Sequence, residues 1–291
     1  MACIEKIYSV SALIGDDSCN ANCSFCAGKY LRPQAEADNP LYWRNLEAAI
    51  KLSARYGGWS LSLTGSGEPT CSPFYVGKAL EVYTKCANQG AFFPNVNLFT
   101  NGIRFGDENF CKAFLPVWRK LGLTNIAVSV HATSEKDQAK VYGVPKYPLY
   151  STIRENIEKY GIGVRATILL RKGEVDNPLE YKRCIEKLIY GAGIKNITSW
   201  AVGNPDGSRT EYTPSRWNMF RIRRWLSKNA KLCHGHVWGG GVYDYRQGNI
   251  VRITDYVTKH DPKKDYVCQL VVFQDGTVAY SWIREGALCL R

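Results

Sequence analysis

The sequence holds no run of eighteen uninterrupted apolar residues, so no membrane-spanning helix is expected. Its opening residues, MACIEKIYSV, lack the charged region, apolar run and small-residue cleavage site of an export signal, which points to the cytoplasm. No low-complexity tract, no repeat beyond a βα alternation and no linker rich in Pro, Gly and Ser interrupts the 291 residues. Division into independently folding domains is therefore not expected. Reduced thiols are expected rather than a disulfide framework, since eleven cysteines is an odd count and the chain is large with no export signal read in its opening residues. One stretch, SRWNMFRIRRWLSKNAK, contains no acid at all.

What is present begins with charge. Lys and Arg total 38 against 26 Asp and Glu, a formal net charge of +12, which favours anionic substrates or nucleic acid. The acid-free stretch carries Arg216, Arg221, Arg223, Arg224, Lys228 and Lys231, with Trp217, Phe220 and Trp225 interleaved. As a helix it would turn an aromatic stripe toward a core and a basic face outward.

Hydrophobic residues make up 45% of the chain, enough for a substantial core. Short β-rich runs alternate with helix-like segments: KIYSVSALI, WSLSLTG, NVNLFTNG, NIAVSVHA, GVRATILL and NITSWAVG read as strands. Helices are expected over Leu41–Arg55, Phe74–Asn88, Glu108–Leu121, Tyr150–Tyr160 and Pro178–Ala192, with the basic helix following the sixth strand. Six βα units with near-continuous apolar strands imply an α/β fold, a partial (β/α)6 TIM-like barrel. After His234 two turn signals, Arg246–Gly248 and QDGT, predict a small antiparallel C-terminal extension. Residues 1–210 form the expected barrel core, and 211–291 the basic helix with a substrate-side lid.

Cys19, Cys23 and Cys26 stand in the loop after the first strand as C-x3-C-x2-C, without a nearby fourth ligand. A structural zinc site closes with four ligands, and Cys233, His234 and His236 are distant and form no matching pair. A [4Fe-4S] cluster held by three thiolates leaves one iron open to a small molecule. Three core thiols is the remaining alternative. Cys3, Cys71, Cys86, Cys111 and Cys184 are scattered singly and read as small buried hydrophobes. Ligands gather at the carboxyl ends of parallel strands, and here those ends read TGSGEPT, FTNG, SVHAT and AVGNPDG.

The cysteine motif with Phe25 before its last cysteine, joined to GSGEPT after the second strand, resembles the radical S-adenosylmethionine (radical SAM) superfamily over roughly Lys6 to Gly207. The resemblance implies that Cys19, Cys23 and Cys26 hold a [4Fe-4S] cluster whose open iron is chelated by S-adenosylmethionine. Reductive cleavage would then yield methionine and a 5′-deoxyadenosyl radical. By the same resemblance Phe25 lies by the adenine, and Gly65, Ser66, Gly67 and Glu68 receive the methionine ammonium, Ser66 departing from the usual glycine. Asn101 and Ser129 would meet the ribose or carboxylate, Arg165 or Arg171 the carboxylate, and Val202 and Asn204 the adenine. His131, in SVHAT, resembles a histidine of radical methylases acting on RNA; a structural histidine is the other reading. Cys289 is either a reactive thiol near the terminus or packing for the tail. Cys233, Cys268 and Cys289 contain no C-x2-C pair, so no auxiliary cluster is expected.

The expected function is hydrogen abstraction from an anionic, nucleotide-like small molecule, with an electron donor such as flavodoxin or ferredoxin. The alternatives are a radical SAM enzyme modifying RNA or a peptide and, in another class, a zinc-stabilised nucleic-acid-binding module.

Overall fold

The structure, a computed structural model, describes residues 4–28, 38–236, 239–254 and 263–284. Cys289 and Cys3 lie outside the described residues. Strands β1 (Lys6–Ile7) and β2 (Ser9–Leu13) open the chain, followed by α1 (Pro40–Arg55), β3 (Ser60–Thr64), α2 (Pro73–Asn88), β4 (Asn95–Thr100), α3 (Glu108–Lys120) and β5 (Asn125–Val130). Two short helices come next, α4 (Glu135–Tyr142) and α5 (Tyr150–Glu158), then β6 (Gly163–Leu170), α6 (Pro178–Glu186), β7 (Asn196–Ala201) and α7 (Arg216–Asn229). The chain ends in β8 (Lys231–Gly235), β9 (Gly241–Asp244), β10 (Ile250–Ile253), β11 (Tyr266–Val267), β12 (Leu270–Val272) and β13 (Val278–Ala279).

Strands β2 to β7 pair in chain order, all parallel, at the centre of an 11-stranded sheet. This is the expected partial barrel. The C-terminal extension supplies antiparallel pairs, β8 with β9, β9 with β10 and β12 with β13. It is split between the two edges, because β10 joins β7 and β12 joins β2, both in parallel.

The strands are not uniformly apolar. Leu61, Leu63, Val96, Leu98, Ile126, Val128, Ala166, Ile168 and Ile197 are at most 1% exposed and form one core with Leu46, Ile50, Leu80, Leu115, Ile153 and Ile185 of the covering helices. Successive side chains of a strand point to opposite faces. The alternate positions are therefore the other face, where polar residues are interspersed with Leu13, Phe99, Ala127, Leu169 and Trp200. Ser11, Ser62, Asn97 and Asn125 align across β2 to β5, while Ser129, Thr167, Thr198 and Arg252 align across β5, β6, β7 and β10. A buried core on one side and a polar lumen on the other is a ligand-binding arrangement.

Helix α4 was not anticipated from the sequence, because it is short and its apolar content is small. Its ends are nevertheless well marked. The Ser134 side chain caps it by accepting from the Asp137 N–H, and Gly143 ends it at φ +64. The basic helix corrects another expectation. Ile222 and Leu226 are its buried residues, while Trp217 and Phe220 are 65% and 49% exposed and stack on each other at 5.6 Å. The aromatic stripe faces outward with the cations, apart from Trp225, which packs against the core.

Candidate active site

The loop after β2 is held in place by backbone and buried polar groups. The Glu68 N–H donates to Ser18 O at 2.8 Å, and the Asn22 N–H to Tyr142 O at 2.7 Å. The Asn101 amide donates to Asn20 Oδ1 at 2.7 Å, and Asp16 Oδ1 accepts from Ser18 and Ser72 hydroxyls, both at 2.6 Å. Those hydroxyls hold the Asp16 carboxyl below its ordinary range. Ser66 bonds to Asp17, and Gln274, from the C-terminal hairpin, donates to Gly15 O at 2.7 Å. Two glycines are required by the close approach of these loops. A Cβ on Gly67 would stand 2.3 Å from Ser18 O, and one on Gly28 would stand 2.1 Å from Ser66 O.

Within this loop Cys19 is exposed, and Cys23 and Cys26 are half-buried. Among the described residues, no three His, Cys, Asp or Glu converge as a mononuclear metal ion would require. A structural zinc closes with four ligands, whereas a cubane presents a separate iron to each of three thiolates, so the loop's three cysteines match the cluster in number. Although the Cys19 residue is exposed as a whole, partial desolvation of its thiol raises it above its ordinary value, a backbone hydrogen bond at Ala21 opposes this, and the charges of Glu68, Cys26 and Cys71 add to the rise. Cys71 is thus a neighbour of the loop, unlike Cys86, Cys111 and Cys184, which are buried as expected.

Glu68 is 5% exposed. Its Oε1 accepts from Thr70 N–H at 3.0 Å, Thr70 Oγ1 at 2.7 Å and Thr100 Oγ1 at 2.6 Å. Its Oε2 accepts only from Asn101 N–H, at 2.7 Å, among the described residues, leaving acceptor capacity for an ammonium. Burial raises its pKa despite these four donors.

Phe25 packs edge-on to His131 with centroids at 4.9 Å, and Arg171 Cζ lies 5.0 Å from its centroid. His131 is 3% exposed, and burial, then Arg171, push its pKa down to about 3. It is neutral at physiological pH, and its Nδ1 has no hydrogen-bond partner. Gln138 of α4 accepts from the His131 and Ala132 N–H groups at 2.8 and 3.1 Å and donates to Ser129 O at 3.0 Å. The unanticipated helix therefore clamps the end of β5.

Other candidates disperse. Val202 is 6% exposed, and its N–H bonds to Leu170 O at the sixth barrel strand's end. Asn204 sits in a turn with its amide on Ser208 Oγ at 2.9 Å. Arg165 lies deeper, six residues before Arg171 on β6, with its guanidinium carbon 5.3 Å from the Phe99 centroid. Cys233 and Cys268 belong to opposite edges of the sheet. Tyr212, 5.8 Å from Phe25, and the lumen residues Thr167, Thr198 and Arg252 were missed. Recurring polar residues at alternate strand positions, such as Ser62, Asn97, Ser129, Thr167 and Thr198, were the available signal.

The sequence pattern of the Radical SAM superfamily matches residues 16–182. The chain belongs to that superfamily. It is thus an enzyme of the radical SAM class, a family characterised by a [4Fe-4S] cluster, S-adenosylmethionine and the need for an electron donor. The chain is 27% identical over 143 residues to GTP 3′,8-cyclase of Haemophilus influenzae (strain PittEE), covering 49% of this chain and 39% of that protein. Among solved structures, native anSMEcpe with bound AdoMet superposes with a TM-score of 0.61 at 18% identity, covering 95% of this chain and 74% of that one. A radical SAM methyltransferase from Sphaerobacter thermophilus gives 0.56 at 16% identity, covering 87% and 67%. These likenesses support the partial-barrel radical SAM fold. No helix among the described residues is long and apolar enough to cross a membrane.

Proposed function

We propose that this radical SAM enzyme cleaves S-adenosylmethionine reductively and abstracts hydrogen from an anionic, nucleotide-like substrate. The observation that carries the reading is the fastening of the cysteine loop to Gly65–Glu68 and Asn101 at the carboxyl ends of the parallel strands, over a polar lumen. When bound, the cluster supplies a low-potential electron to the sulfonium. Cys19, Cys23 and Cys26 would hold it. Glu68 Oε2 and the Gly65–Gly67 backbone would take the cofactor's ammonium, and Arg171, beside Phe25, its carboxylate. Ser129 would face the ribose, and Phe25, Val202 and Asn204 would border the adenine. His131, neutral and without acid-base capacity near pH 7, would seat Phe25 from behind.

Residues 1–210 would carry this core, with 211–291 contributing substrate contacts. The likeness to a GTP cyclase and the net charge support a nucleotide-like substrate. Deuterated nucleotides, supplied to anaerobically reconstituted protein with S-adenosylmethionine and a reductant, are expected to transfer deuterium into 5′-deoxyadenosine. Transfer from none of them, but from RNA or peptide, would overturn the nucleotide reading.

RNA as substrate is favoured by a separate feature. A cavity of about 400 Å³ beside α7 is lined by Arg209, Arg216, Arg223, Phe220, Met219, Ala201 and Thr254, with no acid. The exposed Trp217–Phe220 stack lies on the same helix. Cations beside exposed aromatics suit single-stranded nucleic acid. RNA affinity falling steeply with salt, and lost in Trp217→Ala, would support this reading, and salt-independent or absent binding would end it.

A further inference from the structure

Arg165 and Arg252 bring two cations to the lumen face of the sheet. Arg252 aligns with Thr198 across β10 and β7, Thr198 aligns with Thr167 across β7 and β6, and Arg165 precedes Thr167 by two residues on the same face. The Arg165 Nε and the hydroxyls of Thr167 and Thr198 are buried without hydrogen-bond partners. Arg252 donates to Asn196 through one nitrogen, and Arg165 lies against the Phe99 ring.

No carboxylate compensates this charge among the described residues. Burial, then the charge of Arg252, lowers Arg165 to about 10, and burial alone lowers Arg252. Both remain cations near neutral pH. His236, after β8, is also lowered, by burial first and then by Arg252, His234 and Arg165. Two guanidinium groups on one face of the sheet, near enough for one to shift the other, with orphaned hydroxyls on the strands that join them, are costly to hold in a protein interior unless an anion arrives.

We infer that Arg165, Arg252, Thr167 and Thr198 form a binding site for a phosphoryl group of the substrate. A phosphoryl dianion balances two guanidinium charges and offers several acceptor oxygens, whereas a carboxylate would leave one cation unmatched. The site rests on the anionic-substrate reading above and specifies its chemistry: the substrate carries a phosphate or diphosphate that anchors it in the lumen, beneath the cysteine loop's end of the sheet.

The test uses inorganic pyrophosphate as the probe, titrated calorimetrically into the full chain with saturating S-adenosylmethionine. Arg252→Gln is expected to weaken pyrophosphate binding at least about tenfold. Thr198→Val, nearly isosteric, is expected to weaken it about three- to tenfold, which keeps the test decisive if Arg252→Gln does not fold. Arg183→Gln, an equal charge loss on the outer surface of α6, is expected to leave binding unchanged. Equal weakening in Arg183→Gln, no effect of Arg252→Gln and Thr198→Val, or displacement of pyrophosphate by S-adenosylmethionine would overturn the site. Deuterium transfer separates this from the parent reading. If an unphosphorylated anion is the hydrogen donor, the phosphoryl site fails and the anionic reading stands. If pyrophosphate binds through Arg252 but only uncharged compounds donate hydrogen, the anionic reading fails, and with it the assignment of the site to the substrate, although the site binds phosphate.

Discussion

The two faces of the six central strands are built from the same short sequences to opposite ends. On the helix side, Leu61, Leu98, Ile126 and Ile168 are fully buried in one apolar core. On the lumen side, Ser62, Asn97, Ser129, Thr167 and Arg165 alternate with them, some left without partners. Burial of apolar area stabilises the fold through the outer face. The inner face gives up stability, as sites awaiting a ligand do. The difference teaches that parallel strands covered on one side need not be apolar throughout.

The sharpest break between stability and chemistry is expected at the mouth of the lumen. Cys23→Ala should lose all cluster iron and brown colour after anaerobic reconstitution, measured by iron content and visible absorption, while the thermal midpoint of the metal-free chain stays within about 2 °C. Gly67→Ala should drive a Cβ into the Ser18 and Asp17 backbone. A more than tenfold loss of 5′-deoxyadenosine formation is the expected result, read by chromatography against wild type.

On the outer face, Leu98→Ala should cost about 2–5 kcal/mol in urea unfolding, because a fully buried leucine leaves a cavity. At the seam between the faces, His131 supplies a pH dependence. Its folded pKa, about 3, lies below the ordinary ~6.5 of an unfolded chain. The unfolded state therefore binds the proton first. The stability due to this neutral ring is fully present above pH ~6.5 and is lost as pH falls toward the folded value. Wild type should lose on the order of 1–2 kcal/mol more than His131→Phe between pH 7 and pH 5. The smallest effect is expected in the lumen, where Thr167→Val removes an orphaned buried hydroxyl. It should shift stability by less than about 1 kcal/mol, in the stabilising direction.

Much of this architecture was legible in the residues. The βα alternation located all six barrel strands, and C-x3-C-x2-C with GSGEPT located the loops that the structure fastens together. Three things were not legible. Helix α4 has too few apolar positions to announce itself, although Ser134 and Gly143 mark its ends. Trp217 and Phe220 share helical spacing with core residues, and only the packing of Ile222 and Leu226 shows which side is buried. The proximity of Arg165 to Arg252 depends on β10 returning to pair beside β7, a long-range pairing that local patterns do not encode.

The pinned cysteine loop and the Gly65–Glu68 loop are together expected to support cleavage of S-adenosylmethionine. The most direct measurement is 5′-deoxyadenosine released by anaerobically reconstituted protein after reduction, beside the Cys23→Ala variant. Wild type is expected to release it and the variant to release none. Iron- and sulfide-loaded wild type that releases no 5′-deoxyadenosine, or a variant that releases as much, would contradict this expectation.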